Sequence, residues 1–102
     1  MTVETSPVIS DLSLTSIVVV DTAAIATDLD GEVIILDTAK GIYYGLDAVG
    51  ASIWNLIQQP KTLAEVRSAI TEEYEVDPDT CERDLIRLIQ SLSSNGLVNV
   101  SN

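Results

Sequence analysis

Gly41-Ile42-Tyr43-Tyr44-Gly45-Leu46-Asp47-Ala48-Val49-Gly50-Ala51-Ser52-Ile53-Trp54-Asn55-Leu56-Ile57 is where the chain changes its period. Ile42, Tyr43 and Tyr44 form a short β-prone run bounded by Gly41 and Gly45. Alternation along such a strand puts the two tyrosines on opposite faces. One can meet a core, and the other must face water or a partner. Beyond Leu46, the apolar residues Val49, Ile53, Leu56 and Ile57 share one face of a helix. Asp47 is suited to cap that helix, which runs to about Gln58 and is ended by Pro60.

Upstream of this stretch the signals are those of strands. Val33, Ile34, Ile35 and Leu36 form a short apolar run, joined to the tyrosine strand by the turn Ala39-Lys40-Gly41. Before it, Asp30-Gly31 is a hairpin signal that connects back to an extended piece from Ala23 to Leu29. Leu14 to Val20 is rich in β-branched residues and also reads as extended. Connections this short imply an antiparallel meander. Residues 1–13 are polar and mixed and contain Pro7, so they read as a flexible N-terminal arm. Residues 14–102 then form one domain.

Downstream the signals are those of helices. Thr62-Leu63-Ala64-Glu65 has the pattern of a capping box, with Leu63, Val66, Ile70 and Tyr74 along one face. Asp77-Pro78 places a cap before a proline at the first helical position. Cys81, Leu85, Leu88, Ile89 and Leu92 form the inner stripe of this third helix, and Asn95-Gly96 stops it. Leu97 to Val100 is a short final strand or tail. Strands followed by helices give an α+β domain.

Composition narrows the chemistry. The chain has 102 residues, 46% of them apolar, with no Phe, so the core is aliphatic. Sixteen carboxylates face five basic residues, for a net charge of −11. Such a field repels phosphate backbones and anionic membrane surfaces, so neither nucleic acid nor a membrane is expected as a partner. The absence of His removes His-based acid–base catalysis and His metal ligands. Cys81 is the single cysteine, and it allows neither an internal disulfide nor a thiolate cage. No signal peptide is evident, and no apolar run approaches the ~20 residues of a membrane span. A cytoplasmic protein without metal or other cofactor is expected.

Candidate catalytic groups are few. Asp28 and Asp30 before Gly31 resemble the start of a calcium loop, but Ala39 stands where that loop needs its Glu. The carboxylates from Glu72 to Asp84 lie at helix ends and on exposed faces, where they are solvated. Cys81 has no His to activate it and reads as a small buried apolar residue. Ser13 loosely resembles an acyl-carrier attachment site, without the helical pattern such a site needs. Asn99-Val100-Ser101 matches a glycosylation acceptor, with nothing to suggest secretion. Arg83 and Arg87 are exceptions in an acidic chain. They stand four apart on the third helix, beside its core stripe. They either pair with Glu82 and Asp84 or anchor a carboxylate or carbonyl of a ligand.

The Gly41–Ile57 run resembles the PqqD-like proteins, the recognition elements of ribosomally made, post-translationally modified peptides. The family pattern is a strand ending in an aromatic pair, then Leu-Asn, then Gly-Ala and Ile-Trp on the first helix. Asp47 stands here where Asn is usual. Thr62-Leu63-Ala64-Glu65-Val66, Tyr74-Glu75-Val76, and Asp84, Leu88, Leu92 with Gly96-Leu97-Val98 continue the likeness. Asp30-Gly31-Glu32-Val33-Ile34-Ile35-Leu36-Asp37 extends it upstream. The stand-alone form looks most like the lasso-peptide branch.

The resemblance implies a winged-helix-like fold, a three-stranded antiparallel sheet packed on a three-helix bundle. It implies a non-catalytic protein that binds the leader segment of a precursor peptide. The leader would add as a strand to the third strand of the sheet, for presentation to a leader peptidase or other modifying enzyme. Gly41, Ile42, Tyr43 and Tyr44 would form the strand side of that site. Arg83, Ile86, Arg87 and Gln90, on an adjoining stripe of the third helix, would form its other wall. Leu14 to Val20 is apolar enough to keep homodimerisation through an exposed strand open. The runner-up is a winged-helix DNA-binding regulator, which the acidic third helix opposes. A small enzyme comes third.

Overall fold

A computed structural model describes residues 12–101; the bulk of the expected N-terminal arm lies outside them. The strands are β1 (Ile17–Val20), β2 (Ile25–Leu29), β3 (Glu32–Asp37) and β4 (Ile42–Leu46). Helix α1 (Ala48–Leu56) follows, then the two-residue strand β5 (Lys61–Thr62) and helices α2 (Leu63–Glu73) and α3 (Pro78–Ser94), with β6 (Val98–Ser101) last.

The local signals are used as read. Asp30 and Gly31 take φ 53° and 84°, the pattern of a two-residue type I′ hairpin turn. Gly41 closes the next turn at φ 69°, a conformation that favours glycine. Asp47 accepts a hydrogen bond from the Gly50 amide at 2.9 Å and starts α1. Thr62 and Glu65 form the capping box of α2 in both directions. Two further amides at that helix start, Leu63 and Ala64, donate to the carbonyls of Ser16 and Leu14. Asp77 caps α3 ahead of Pro78, and Gly96 at φ 73° follows its end.

The expected α+β, winged-helix-like arrangement is present: three helices, with β2-β3-β4 as an antiparallel meander. A second three-stranded sheet accompanies it. β1 does not join the meander; it lies between β5 and β6, antiparallel to both. The turn at Asp21–Ala24 carries the chain from one sheet to the other, and the Asp21 amide donates to the Leu97 carbonyl there. The final Leu97–Val100 segment is therefore a strand, and both edges of β1 are occupied. Homodimerisation through the edge of β1 has no free edge to use.

The core is aliphatic, as composition requires. Val18, Ile35, Ile57, Leu63, Val66, Ile70, Leu85 and Ile89 are fully buried, with Trp54 beside them. Leu12, inside the expected arm, packs against this core. Among the described residues no helix is long and apolar enough to cross a membrane.

Candidate functional site

The two-residue turn at Asp30-Gly31 fixes the hydrogen-bonding phase of the whole meander. In such a hairpin the closing pair, Leu29 and Glu32, is a hydrogen-bonded pair. Alternation then directs the backbone groups of Glu32, Ile34 and Leu36 toward β2. Those of Val33, Ile35 and Asp37 point toward β4. Their partners are Leu46, Tyr44 and Ile42. The amide and carbonyl of Tyr43 and Gly45 consequently point away from β3. Among the described residues β4 is an edge strand, so these groups are offered to any extended chain that comes alongside.

The side chains divide as the sequence suggested. Tyr44 is half-buried and packs against the core, whereas Tyr43 is 71% exposed. Ile42 is also exposed. Gly45 takes no left-handed conformation. A Cβ there would meet only Ile34 Cδ1, at 3.7 Å.

Beside the Leu46 end of β4 runs a groove of about 570 Å³. Gly45, Leu46, Asp47, Val49, Gly50 and Ile53 form its strand and α1 side. Thr80, Cys81, Asp84, Leu85, Arg87, Leu88 and Ser91 form the α3 side, and Ile70 and Val76 complete the lining. The interior is aliphatic and the mouth carries charge. Asp84 and Arg87 stand 3.7 Å apart with both side chains largely exposed, so their mutual attraction is worth little and both remain available. Cys81 is buried, and that burial raises its thiol pKa even though Arg67 opposes the shift. It lines the wall of the groove, where burial favours its neutral thiol. Among the described residues, no His, Cys, Asp and Glu side chains gather into a metal-binding group.

The structure sorts the sequence-derived site residues. Arg87 lines the groove. Gly41, Ile42, Tyr43 and Tyr44 lie along the same strand as Gly45, short of the groove lining. Arg83 is outside the lining, with Nη2 3.4 Å from Thr80 Oγ1. Ile86 and Gln90 are also outside it. They follow Glu82 at helical spacing on the opposite shoulder of α3, where Glu82 meets Arg67 of α2 at 2.6 Å. The groove shoulder is Thr80, Asp84, Arg87, Leu88 and Ser91, a stripe at i, i+4, i+7, i+8 and i+11. Helical spacing contains that stripe. The Arg67–Glu82 pair, which marks the shoulder that faces α2, is a long-range contact.

Comparison with known proteins agrees with the fold. Residues 32–98 match the family model described as Coenzyme PQQ synthesis protein D (PqqD). No curated protein matches. Two solved structures are similar to the chain. "TbiB1 in Complex with the TbiA(beta) Leader Peptide" is 38% identical, with a TM-score of 0.73, over 79% of this chain and 94% of its own. "Lasso peptide synthetase B1 complexed with the leader peptide" is 28% identical, with a TM-score of 0.71, over 80% of this chain and 96% of its own. The family resemblance of the Gly41–Ile57 stretch and its flanks is thereby borne out, and the chain belongs to the PqqD family.

Proposed function

We propose that this protein binds the leader segment of a ribosomally made precursor peptide and presents it to a leader peptidase or other modifying enzyme. The lasso-peptide class is the best supported, because the two solved relatives are TbiB1 and a lasso peptide synthetase B1, each complexed with a leader peptide. The observation that carries the reading in this chain is the open edge of β4 running into an aliphatic groove against α3. The leader adds as a strand along Gly41–Gly45, pairing with the outward groups of Tyr43 and Gly45. Its apolar side chains then reach the groove between α1 and α3. Arg87 meets a carboxylate or carbonyl at the mouth, and Arg83, Ile86 and Gln90 lie farther from the peptide.

The protein does no chemistry of its own on this reading. The groove holds a buried thiol and exposed carboxylates, with no base positioned on a nucleophile. Ordering a free leader costs about 2–5 kcal/mol of the gross interaction, which main-chain pairing and a few buried side chains must exceed. Titration with the leader segment of the cognate precursor tests the reading. Saturable binding at or below roughly 10 μM is expected (about −7 kcal/mol). Absence of binding at ten times that concentration would overturn it.

A further inference from the structure

The groove beside β4 is aliphatic inside and charged at its margins, and the charges are unequal. Among the described residues, the charged side chains in its lining are Asp47 on the α1 wall and Asp84 and Arg87 on the α3 wall. Glu75, Asp77 and Asp79, the chain neighbours of lining residues Val76 and Thr80, are exposed acids. The bases of α2 and α3 do not balance them. Arg67 is held by Glu82 at 2.6 Å, and Arg83 stands outside the lining. A peptide entering the groove therefore meets a negative field on a chain of net charge −11.

Neither lining carboxylate owes its charge to the fold. Asp47 caps α1 by accepting from the Gly50 amide. Asn caps a helix as well as Asp does, so the cap needs the oxygen and not the charge. Asp84 lies beyond the first turn of α3, out of reach of the favourable end of the helix dipole. Its contact with Arg87 is loose, at 3.7 Å with both side chains largely exposed. Both carboxylates are free to act on a ligand.

We infer, granted leader binding along β4 and this groove, that the site selects a cationic leader. A Lys or Arg of the peptide, beside the apolar side chains that fill the groove, meets Asp84 on one wall and Asp47 on the other. Such a side chain suits the place. Its methylene stem covers apolar surface while its charged head stays at the wet mouth. Arg87, one turn along from Asp84, takes a peptide carbonyl. An acidic leader is repelled by both carboxylates and by the net charge of the chain.

Calorimetric titration of single-charge variants with the leader segment of the cognate precursor tests this. Asp84→Asn and Asp47→Asn should each weaken binding about fivefold, on a folded protein because Asn keeps the cap. Glu32→Gln removes the same charge from an exposed site on the meander and should change affinity by less than about twofold. Leader variants with each Lys or Arg replaced in turn by Gln identify the partner. One replacement should lose the same factor on wild type and nothing further on Asp84→Asn. Raising salt from about 0.1 M to about 1 M, which shortens the screening length from ~10 Å to ~3 Å, should shrink these differences. Unchanged or tighter binding by Asp84→Asn or Asp47→Asn overturns cationic selection and leaves leader binding standing. An equal loss from Glu32→Gln, or a cognate leader without Lys or Arg, does the same. Failure of the wild-type chain to bind the leader at all removes leader binding, and this inference with it.

Discussion

Proline at Tyr43 and proline at Tyr44 should have opposite consequences, because the two amides point in opposite directions. The Tyr43 amide faces away from β3 and its side chain is 71% exposed, so folding loses little when it is replaced. A leader strand loses the hydrogen bond to that amide, about 0.5–1.5 kcal/mol net. If the proline ring also leaves the peptide carbonyl dry and unpaired, the loss reaches about 1–3 kcal/mol. The expected result is roughly a 2- to 150-fold weaker complex on a folded protein. At Tyr44 the lost amide bonds to β3 opposite Ile35, which is fully buried. An unsatisfied buried carbonyl costs about 1–3 kcal/mol, and truncating the half-buried ring adds to it. A total near 3–5 kcal/mol is a large share of the ~5–15 kcal/mol available to a small domain. Urea melts followed by circular dichroism give the stability, and calorimetric titration with the leader gives the affinity. The reasoning fails if Tyr43→Pro unfolds the protein as much as Tyr44→Pro, or binds leader as tightly as wild type.

Other consequences concern the groove wall and the caps. Arg87→Ala should weaken leader binding up to about tenfold through a lost charge-assisted contact while leaving stability within ~0.5 kcal/mol, and Arg83→Ala should leave affinity unchanged; titration of both variants checks this. Glu65 accepts from the Thr62 amide and hydroxyl, and these bonds lower its carboxyl pKa below the ordinary 4.5. The stabilisation that this provides is full above that value and is lost as pH falls through the lowered pKa. Melting temperatures measured from about pH 6 down to about pH 2 should therefore converge for wild type and Glu65→Gln at the acid end; a constant gap would contradict the cap's ionic character.

What could be read from the sequence was local. Asp30-Gly31, Asp47, Thr62 with Glu65, Asp77-Pro78 and Asn95-Gly96 each specify a turn or cap through their own backbone chemistry, and each does so in the structure. The pairing of β1 could not be read. Its partners, Lys61-Thr62 and Val98–Ser101, lie far along the chain, and β5 is too short to show any alternation. The third helix shows the same limit. Cys81, Leu85, Ile89 and Leu92 mark its buried stripe, but a stripe has two equivalent shoulders. The choice between Arg87 with Leu88 and Ile86 with Gln90 is set by which shoulder lies toward α2, where Glu82 meets Arg67, and that is a tertiary contact.

Amide hydrogen exchange across β4, with and without the cognate leader, tests strand addition most directly. The account predicts that the outward amides of Tyr43 and Gly45 gain strong protection on binding. Ile42 and Tyr44, already paired with β3, should change less, and Leu63 to Ile70 on α2 should not change. Protection confined to α2, or equal gains at Tyr43 and Tyr44, would contradict it.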